Sequence, residues 1–493
     1  MFEAFTHFVD FMWGIPLIIV IVAAGVWFTI ATGGFQFTHF FFIARNVFRK
    51  DNRAGDNGKA LTPFQAVCVA IGGTVGVSNI SGVATAIVSG GPGALFWIWV
   101  AAMLGMIIKM AEVSLAVYYR ESNPDGTFQG GPTYYMKKAL GMERGWKCWK
   151  VLALIFGLGI CLTWPITIQN YTTSEAIGYA FGLTKQQYII PSLVLVVSIY
   201  IVTFGGLKKI GIIASYVTPF MCIFYIVCGL IVLGANYANI PGTFALIFKG
   251  AFTKQAATGG FLGASVMAAM RFGFARSVYS NEAGWGTSPM VHATAYTDHP
   301  IKQGLLGAFE VFTDTILVCS MTGLVIICTG MWQTTDVVIK AGGAPLTLAA
   351  FSTVVGHWAS IVIALSIFLF ALTTNTGWFT YYTALVEQGF KPGKARNIAL
   401  KILLIGNPLW GLLILVANVY SNGTPKQIWT LADFSSLVPT FVNVFVLLII
   451  GKKFLVLLKD YRGRYLGEGT YDPSTPLFYE DELKQKEQNK QAQ

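Results

Sequence analysis

Residues 71–82 read Ile71-Gly-Gly-Thr-Val-Gly-Val-Ser-Asn-Ile-Ser-Gly82, in the middle of an apolar stretch long enough to cross a bilayer. Gly72, Gly73 and Gly76 are each worse than Ala in a helix interior by roughly 1 kcal/mol. Thr74, Val75 and Val77 are β-branched and favour extended backbone. The sequence therefore predicts a membrane helix that breaks here. Freed amides and carbonyls are costly in hydrocarbon, so such a break persists where it lines a cavity or holds a ligand or ion. The alternative for the same glycines is close helix packing through small residues.

The rest of the chain fits a bilayer. With 54% hydrophobic and 12% charged residues over 493 positions, its composition is that of an all-α polytopic membrane protein, not a soluble domain. Eleven crossings are predicted near 15–33, 62–88, 93–118, 151–180, 189–206, 212–235, 258–280, 304–331, 355–388, 396–418 and 431–458. The N-terminal apolar run follows Glu3 and Asp10 and has no clear small-residue cleavage site, so it reads as a retained helix and not a signal peptide.

A net charge of +11 does not point to nucleic acid, because the basic residues fall in alternate loops. One set of loops and the tail, counting Arg271 and Arg276, holds 28 Lys and Arg against 5 in the other set, with Lys109 inside a span. The positive-inside bias then puts the N-terminus outside and the C-terminus in the cytoplasm, in the cell's inner (plasma) membrane. The seven cysteines show no metal spacing and read as packing residues. The polar stretch 459–493 is expected to be a cytoplasmic tail with little fixed structure.

A second span repeats the peculiarity of the first, opening with Gly259-Gly260-Phe261-Leu262-Gly263-Ala264-Ser265. With the first helix and loop (1–60) set aside, the remaining ten spans divide into sets of five, 61–236 and 237–458. Five is odd, so the sets are inverted across the membrane. Interrupted segments at matching positions of two halves point to a transporter's binding site.

At a broken helix the restarted half presents free N–H groups and a positive dipole end, and the first half presents free carbonyls. Amides around Val77 and Ser78 can hold a carboxylate, and carbonyls of Gly72 and Val75 can face a monovalent cation. Thr74 and Gly76 lie between them; Asn79 can touch either ligand or cap the restarted helix. From the second interrupted span, Phe261, Ser265, Met267 and Met270 are candidate substrate contacts. Lys109 and Glu112, at i and i+3 in the third span, need each other or a wet cavity. They read as a structural or gating ion pair, with a proton site at Glu112 as the alternative. Ser280-Asn281-Glu282, beside Arg276, reads as a polar hinge or cap.

Motifs throughout the chain carry a resemblance: Gly72-Gly-Thr-Val-Gly76 with Asn79-Ile80, Gly90-Gly-Pro-Gly93, Phe128-Gln-Gly-Gly-Pro132 with Tyr134-Tyr135, Ser280-Asn-Glu-Ala-Gly284 and Thr297-Asp-His-Pro300. The chain resembles the alanine or glycine:cation symporter family, and Gly72–Ile80 resembles the interrupted first core helix of the neurotransmitter:sodium symporter fold. The resemblance implies one extra helix before two inverted five-helix repeats. It further implies alternating access and uptake of a small neutral amino acid (alanine, glycine or similar) driven by sodium, or by protons in some members.

By the same resemblance Thr373 and Thr374 join Gly72 and Val75 around sodium, Gln169 binds substrate, and Trp378 is a lid over the substrate side chain. Without the resemblance, threonines in membrane helices bond their own i−4 carbonyls. Gln169 likewise has the alternative of an interhelical hydrogen bond. The chain departs from the family pattern at Val77, Ser78 and Phe379-Thr-Tyr-Tyr-Thr383, around the substrate, which leaves open whether alanine or glycine is the preferred amino acid. No organic cofactor or obligate protein partner is expected. Enzyme classes lack support in the spans, which carry no HExxH, no Gly-x-Ser-x-Gly and no phosphate-binding loop. A passive amino-acid channel or an amino-acid-sensing receptor is the rival reading, since broken helices fit both.

Overall fold

The computed structural model describes residues 2–53, 60–124, 126–253, 266–340, 342–421 and 425–491. After α1 (Ile15–Ala31), Thr62 and Gln65 form a capping box with Pro63 at the first helical position, which starts the helix of interest at a defined residue. This helix, α2 (Pro63–Thr74), ends where Val75 turns extended (φ −68°, ψ 99°). A π-helical turn (Ser78–Gly82) leads into α3 (Val83–Gly90), and the restarted helix is bent by 46° from α2. The predicted break is present.

The chain continues through α4 (Gly93–Tyr118), α5 (Trp149–Thr163), α6 (Gln169–Phe181), α7 (Ile189–Thr203), α8 (Gly206–Ala235) and α9 (Ile240–Phe252). Then follow α10 (Val266–Asn281), α11 (Pro300–Val311), a π-helical segment (Phe312–Cys319), α12 (Ser320–Cys328) and α13 (Ala344–Val355). The last four are α14 (His357–Gly389), α15 (Lys394–Ser421), α16 (Pro425–Tyr461) and α17 (Tyr479–Gln491). Among the described residues, eight helical segments are long and apolar enough to cross a bilayer, or nine with the bent pair. These nine coincide with nine of the predicted crossings. Large apolar side chains such as Leu154, Leu158, Ile223, Ile402 and Leu413 face outward, as lipid contact requires.

The other two crossings differ from expectation. The predicted span 151–180 is interrupted after Thr163, and α6 restarts at Gln169. Pro165 lies in the gap, where it has no N–H to continue the hydrogen-bond ladder of α5. Of 258–280, only α10 lies within the described residues, so Phe261, Ser265 and the Gly259–Gly260 pair fall outside them. Arg271 and Arg276 lie inside α10, not in a loop. The tail also departs from expectation: Tyr479 is buried, Ser122 donates to Glu480 through its N–H and hydroxyl (both 2.9 Å), and Lys453 donates to Glu482 (3.0 Å). Aromatic anchors and paired carboxylates hold α17 against the rest, despite its polar composition.

Helix α2 packs between α8 and α14. A Cβ on Gly377 would lie 2.9 Å from the Gly73 Cα, and one on Gly76 would lie 2.6 Å from Thr374 Oγ1. Both readings of the glycines therefore hold: they weaken the helix and let α14 approach its backbone.

Candidate substrate and cation site

The break is held open by one side chain. Asn79 Oδ1 accepts from the Gly76 N–H (2.7 Å), while its Nδ2 donates to the Asp314 carbonyl (3.0 Å) and carboxylate (2.7 Å). Asp314, in the π-helical segment after α11, also accepts from Ser280 (2.8 Å) and Thr315 (2.7 Å). Asn79 thus fastens the break to the π-helical segment of the neighbouring span, with its amide donors turned to Asp314 and Cys319.

On the carbonyl side, the Thr374 hydroxyl donates to the carbonyls of Gly72 (3.2 Å) and Val75 (3.5 Å). Three oxygens from two helices converge there, a hard donor set of the kind that half-helix ends offer to alkali cations. Thr373 is adjacent, but its hydroxyl bonds the Leu369 and Phe370 carbonyls of its own helix (both 3.1 Å).

On the amide side lies a cavity of about 20 Å³ lined by Gly73, Thr74, Gly76, Val77, Ser78, Gln169, Thr374 and Trp378, together with Tyr279, Glu282 and Trp285. By the same measure one water needs about 10–15 Å³. A second cavity of about 30 Å³ adjoins it, sharing Gln169, Tyr279, Trp285 and Trp378 and adding Asn375, Tyr382 and Asn407. The structure therefore brings Thr74, Gly76, Val77, Ser78, Gln169 and Trp378 together around one space. Trp378 is an aromatic wall of it, with ring centroids 5.5 Å from both Trp285 and Tyr381. Met267 is half exposed, and neither it nor Met270 lines these cavities.

Tyr279, Trp285, Glu310 and Asp314 escaped the sequence reading, and Glu282, expected only as part of a polar hinge or cap, stands in the cavity wall. Glu282 takes a left-handed backbone (φ 53°), the one such non-glycine residue among those described, at a cost of about 1–3 kcal/mol. That turn ends α10 and carries Glu282 and Trp285 into the cavity wall. Thr287 donates to the Glu282 carboxylate. Behind it, Lys109 Nζ donates to the Glu282 carbonyl (3.1 Å), Ser288 (2.7 Å) and Glu310 (3.2 Å), and lies 3.6 Å from Glu112. Glu310 is also 3.1 Å from His292, and Asn443 donates to Glu112 (2.9 Å). Lys109, Glu112 and Glu310 are fully buried. The predicted Lys109–Glu112 pair is thus half of a larger cluster. Glu310 and Asp314 carried a usable signal, as ionisable residues in an apolar span.

A wide cavity of about 740 Å³ is lined by Phe128–Gln129–Gly130, Tyr134, Met290, Phe379, Thr380, Glu387 and Arg396 among others. It lies on the side of the basic loops, one residue along α14 from Trp378. Its mouth is tied by Gln129–Glu387 (3.0 Å) and Arg396–Glu387 (2.8 Å). One turn before Tyr279, Arg276 makes a bidentate pair with Asp433 (2.7 Å each) under the Trp429 ring.

Comparison with known proteins agrees with this architecture. The profile of the sodium:alanine symporter family matches residues 1–472. The sodium/alanine symporter AgcS of Methanococcus maripaludis is 32% identical over 441 residues, covering 90% of this chain and 93% of its own. The probable sodium/glutamine symporter GlnT of Bacillus subtilis is 33% identical over 480 residues, covering 96% and 92%. Among solved structures, MhsT in complex with L-phenylalanine matches with a TM-score of 0.53 at 14% identity, over 78% of this chain and 88% of that one. A Na+-coupled sialic acid symporter in a substrate-bound outward-open state matches at 0.51 and 11% identity, over 92% and 93%. At these identities the two structures speak to the fold.

Proposed function

The chain belongs to the sodium:alanine symporter family, and from that premise we propose that it is a secondary active symporter coupling uptake of a small neutral amino acid to sodium entry. One observation carries this reading: the oxygens of Gly72, Val75 and Thr374 converge beside a cavity walled by the restarted half of the same helix. An ion there and a carboxylate at the amides of Val77 and Ser78 sit at the two ends of one break, so each favours the other. Sodium is the coupling ion and Thr373 completes its cage by rotating its hydroxyl off its own helix; a proton is the alternative coupling ion. Alanine and glutamine are the first substrates to try, since the relatives are named a sodium/alanine symporter and a probable sodium/glutamine symporter.

Transport proceeds by alternating access in eleven spans, one N-terminal helix (1–60) and two inverted five-helix repeats (61–236 and 237–458), ahead of the tail. The N-terminus is outside and the basic face is cytoplasmic in the plasma membrane. In this arrangement the wide cavity is the cytoplasmic vestibule, and Arg276–Asp433 closes the opposite side. The test is uptake of labelled neutral amino acids into proteoliposomes. An inward sodium gradient is expected to drive accumulation that collapses when the gradient is dissipated. Gradient-independent equilibration would mean a passive channel, and binding without flux a sensor.

A further inference from the structure

Glu282, Ser78 and Trp285 meet at the small cavity, and their polar atoms are complementary. Ser78 Oγ and Trp285 Nε1 are buried, and neither makes a hydrogen bond within the protein. Both side chains carry a donor, and both line the same space as the carboxylate of Glu282. A ligand that satisfies them all must bring an acceptor for the first two and a donor for the third.

Charge argues the same way. Glu112, Glu282 and Glu310 face one lysine, Lys109, and one imidazole, His292, all at most 2% exposed. Lys109 Nζ reaches the side chains of Glu112 and Glu310 but only the main-chain carbonyl of Glu282. The direct hydrogen-bond donor to the Glu282 carboxylate among the described residues is the neutral hydroxyl of Thr287. Lys109 acts on this carboxylate by charge but makes no direct bond to it, buried carboxylates without a bonded cation pay heavily in desolvation, and the cavity is where a cation can reach it. The left-handed backbone that aims it there is a strained conformation of the kind held at ligand sites.

Resting on the symport reading above, we propose that Glu282 is the receptor for the substrate's α-ammonium group, with Ser78, Trp285 and the amides of the restarted helix taking its carboxylate. The site thereby selects ligands that keep a free ammonium one carbon from a carboxylate. It rejects hydroxy acids and simple carboxylates of the same size.

The test is equilibrium binding of labelled L-alanine and L-glutamine to the purified full-length protein in saturating sodium, with L-lactate as competitor. Wild type is expected to prefer alanine over lactate by at least about 100-fold, and Glu282→Gln to weaken alanine binding by about 30-fold or more while leaving lactate nearly unchanged. Integrity is read from the sodium-induced rise in thermal midpoint. If Glu282→Gln lacks that rise, Glu282→Asp carries the test, because a withdrawn carboxylate is expected to give an intermediate alanine-to-lactate ratio. An unchanged ratio in a sodium-responsive variant overturns the proposal and leaves the symport reading standing. Wild type binding neither amino acid overturns both.

Discussion

Thr374 and Thr373 are neighbours in sequence with different work to do. Thr374 bridges to the carbonyls at the end of α2, whereas Thr373 bonds its own helix. Thr374→Ala is therefore expected to raise the sodium concentration for half-maximal uptake by about tenfold, equivalent to about 1.4 kcal/mol. Thr373→Ala should shift it by less, because the Thr373 hydroxyl reaches the ion only by leaving the Leu369 and Phe370 carbonyls, which offsets part of that contact. Sodium activation curves in proteoliposomes separate them, and equal shifts would mean that the two hydroxyls hold the ion equally. Trp378 walls the cavity through a flat ring, so Trp378→Ala should let leucine and phenylalanine compete about 10-fold or more better than in the parent. Competition as weak as before would remove Trp378 from the wall that sets size.

At the scale of elements, the break after α2 was legible because three glycines and three β-branched residues oppose a helix locally. The interruption between α5 and α6 was overlooked although Pro165 announced it, since an apolar run hides a proline that ends one helix and lets another begin. Gln169 consequently stands at a helix start, not inside a span. Glu282 was read as a cap because nothing in the sequence fixes its left-handed turn; in the fold Lys109 bonds its carbonyl and Thr287 its carboxylate. The tail helix escaped for a related reason: its composition is that of a solvated segment, but Phe478 stacks under Arg120 and Glu480 and Glu482 meet Ser122 and Lys453. Deleting residues 473–493 is expected to lower the thermal midpoint by at least about 2 °C. An unchanged midpoint would show that these contacts add no stability.

For the whole molecule, the loop between α10 and α11 is pinned by His299. Its Nδ1 accepts from the Ile301 N–H (3.1 Å) and its Nε2 meets Asp460 (3.2 Å). Burial pushes this imidazole from 6.5 down to about 4, with Asp460 opposing. An unfolded chain takes up a proton here near pH 6.5 and the folded one only near pH 4, so stability present above pH 6.5 is lost as the pH falls across that window. The thermal midpoint should fall between pH 7 and 4.5, and His299→Asn should flatten the fall; parallel slopes would assign the acid sensitivity elsewhere. The larger claim is that one broken helix joins an ion and a zwitterion in a single small cavity. It is tested most directly by binding of labelled L-alanine and L-glutamine as a function of sodium, in wild type and in Gly76→Val, whose side chain would overfill the space beside Thr374, since a Cβ there lies 2.6 Å from the Thr374 hydroxyl and must displace it. The account predicts saturable binding that strengthens with sodium in the wild type and disappears in the variant. Binding indifferent to sodium, or undiminished with that space filled, would contradict it.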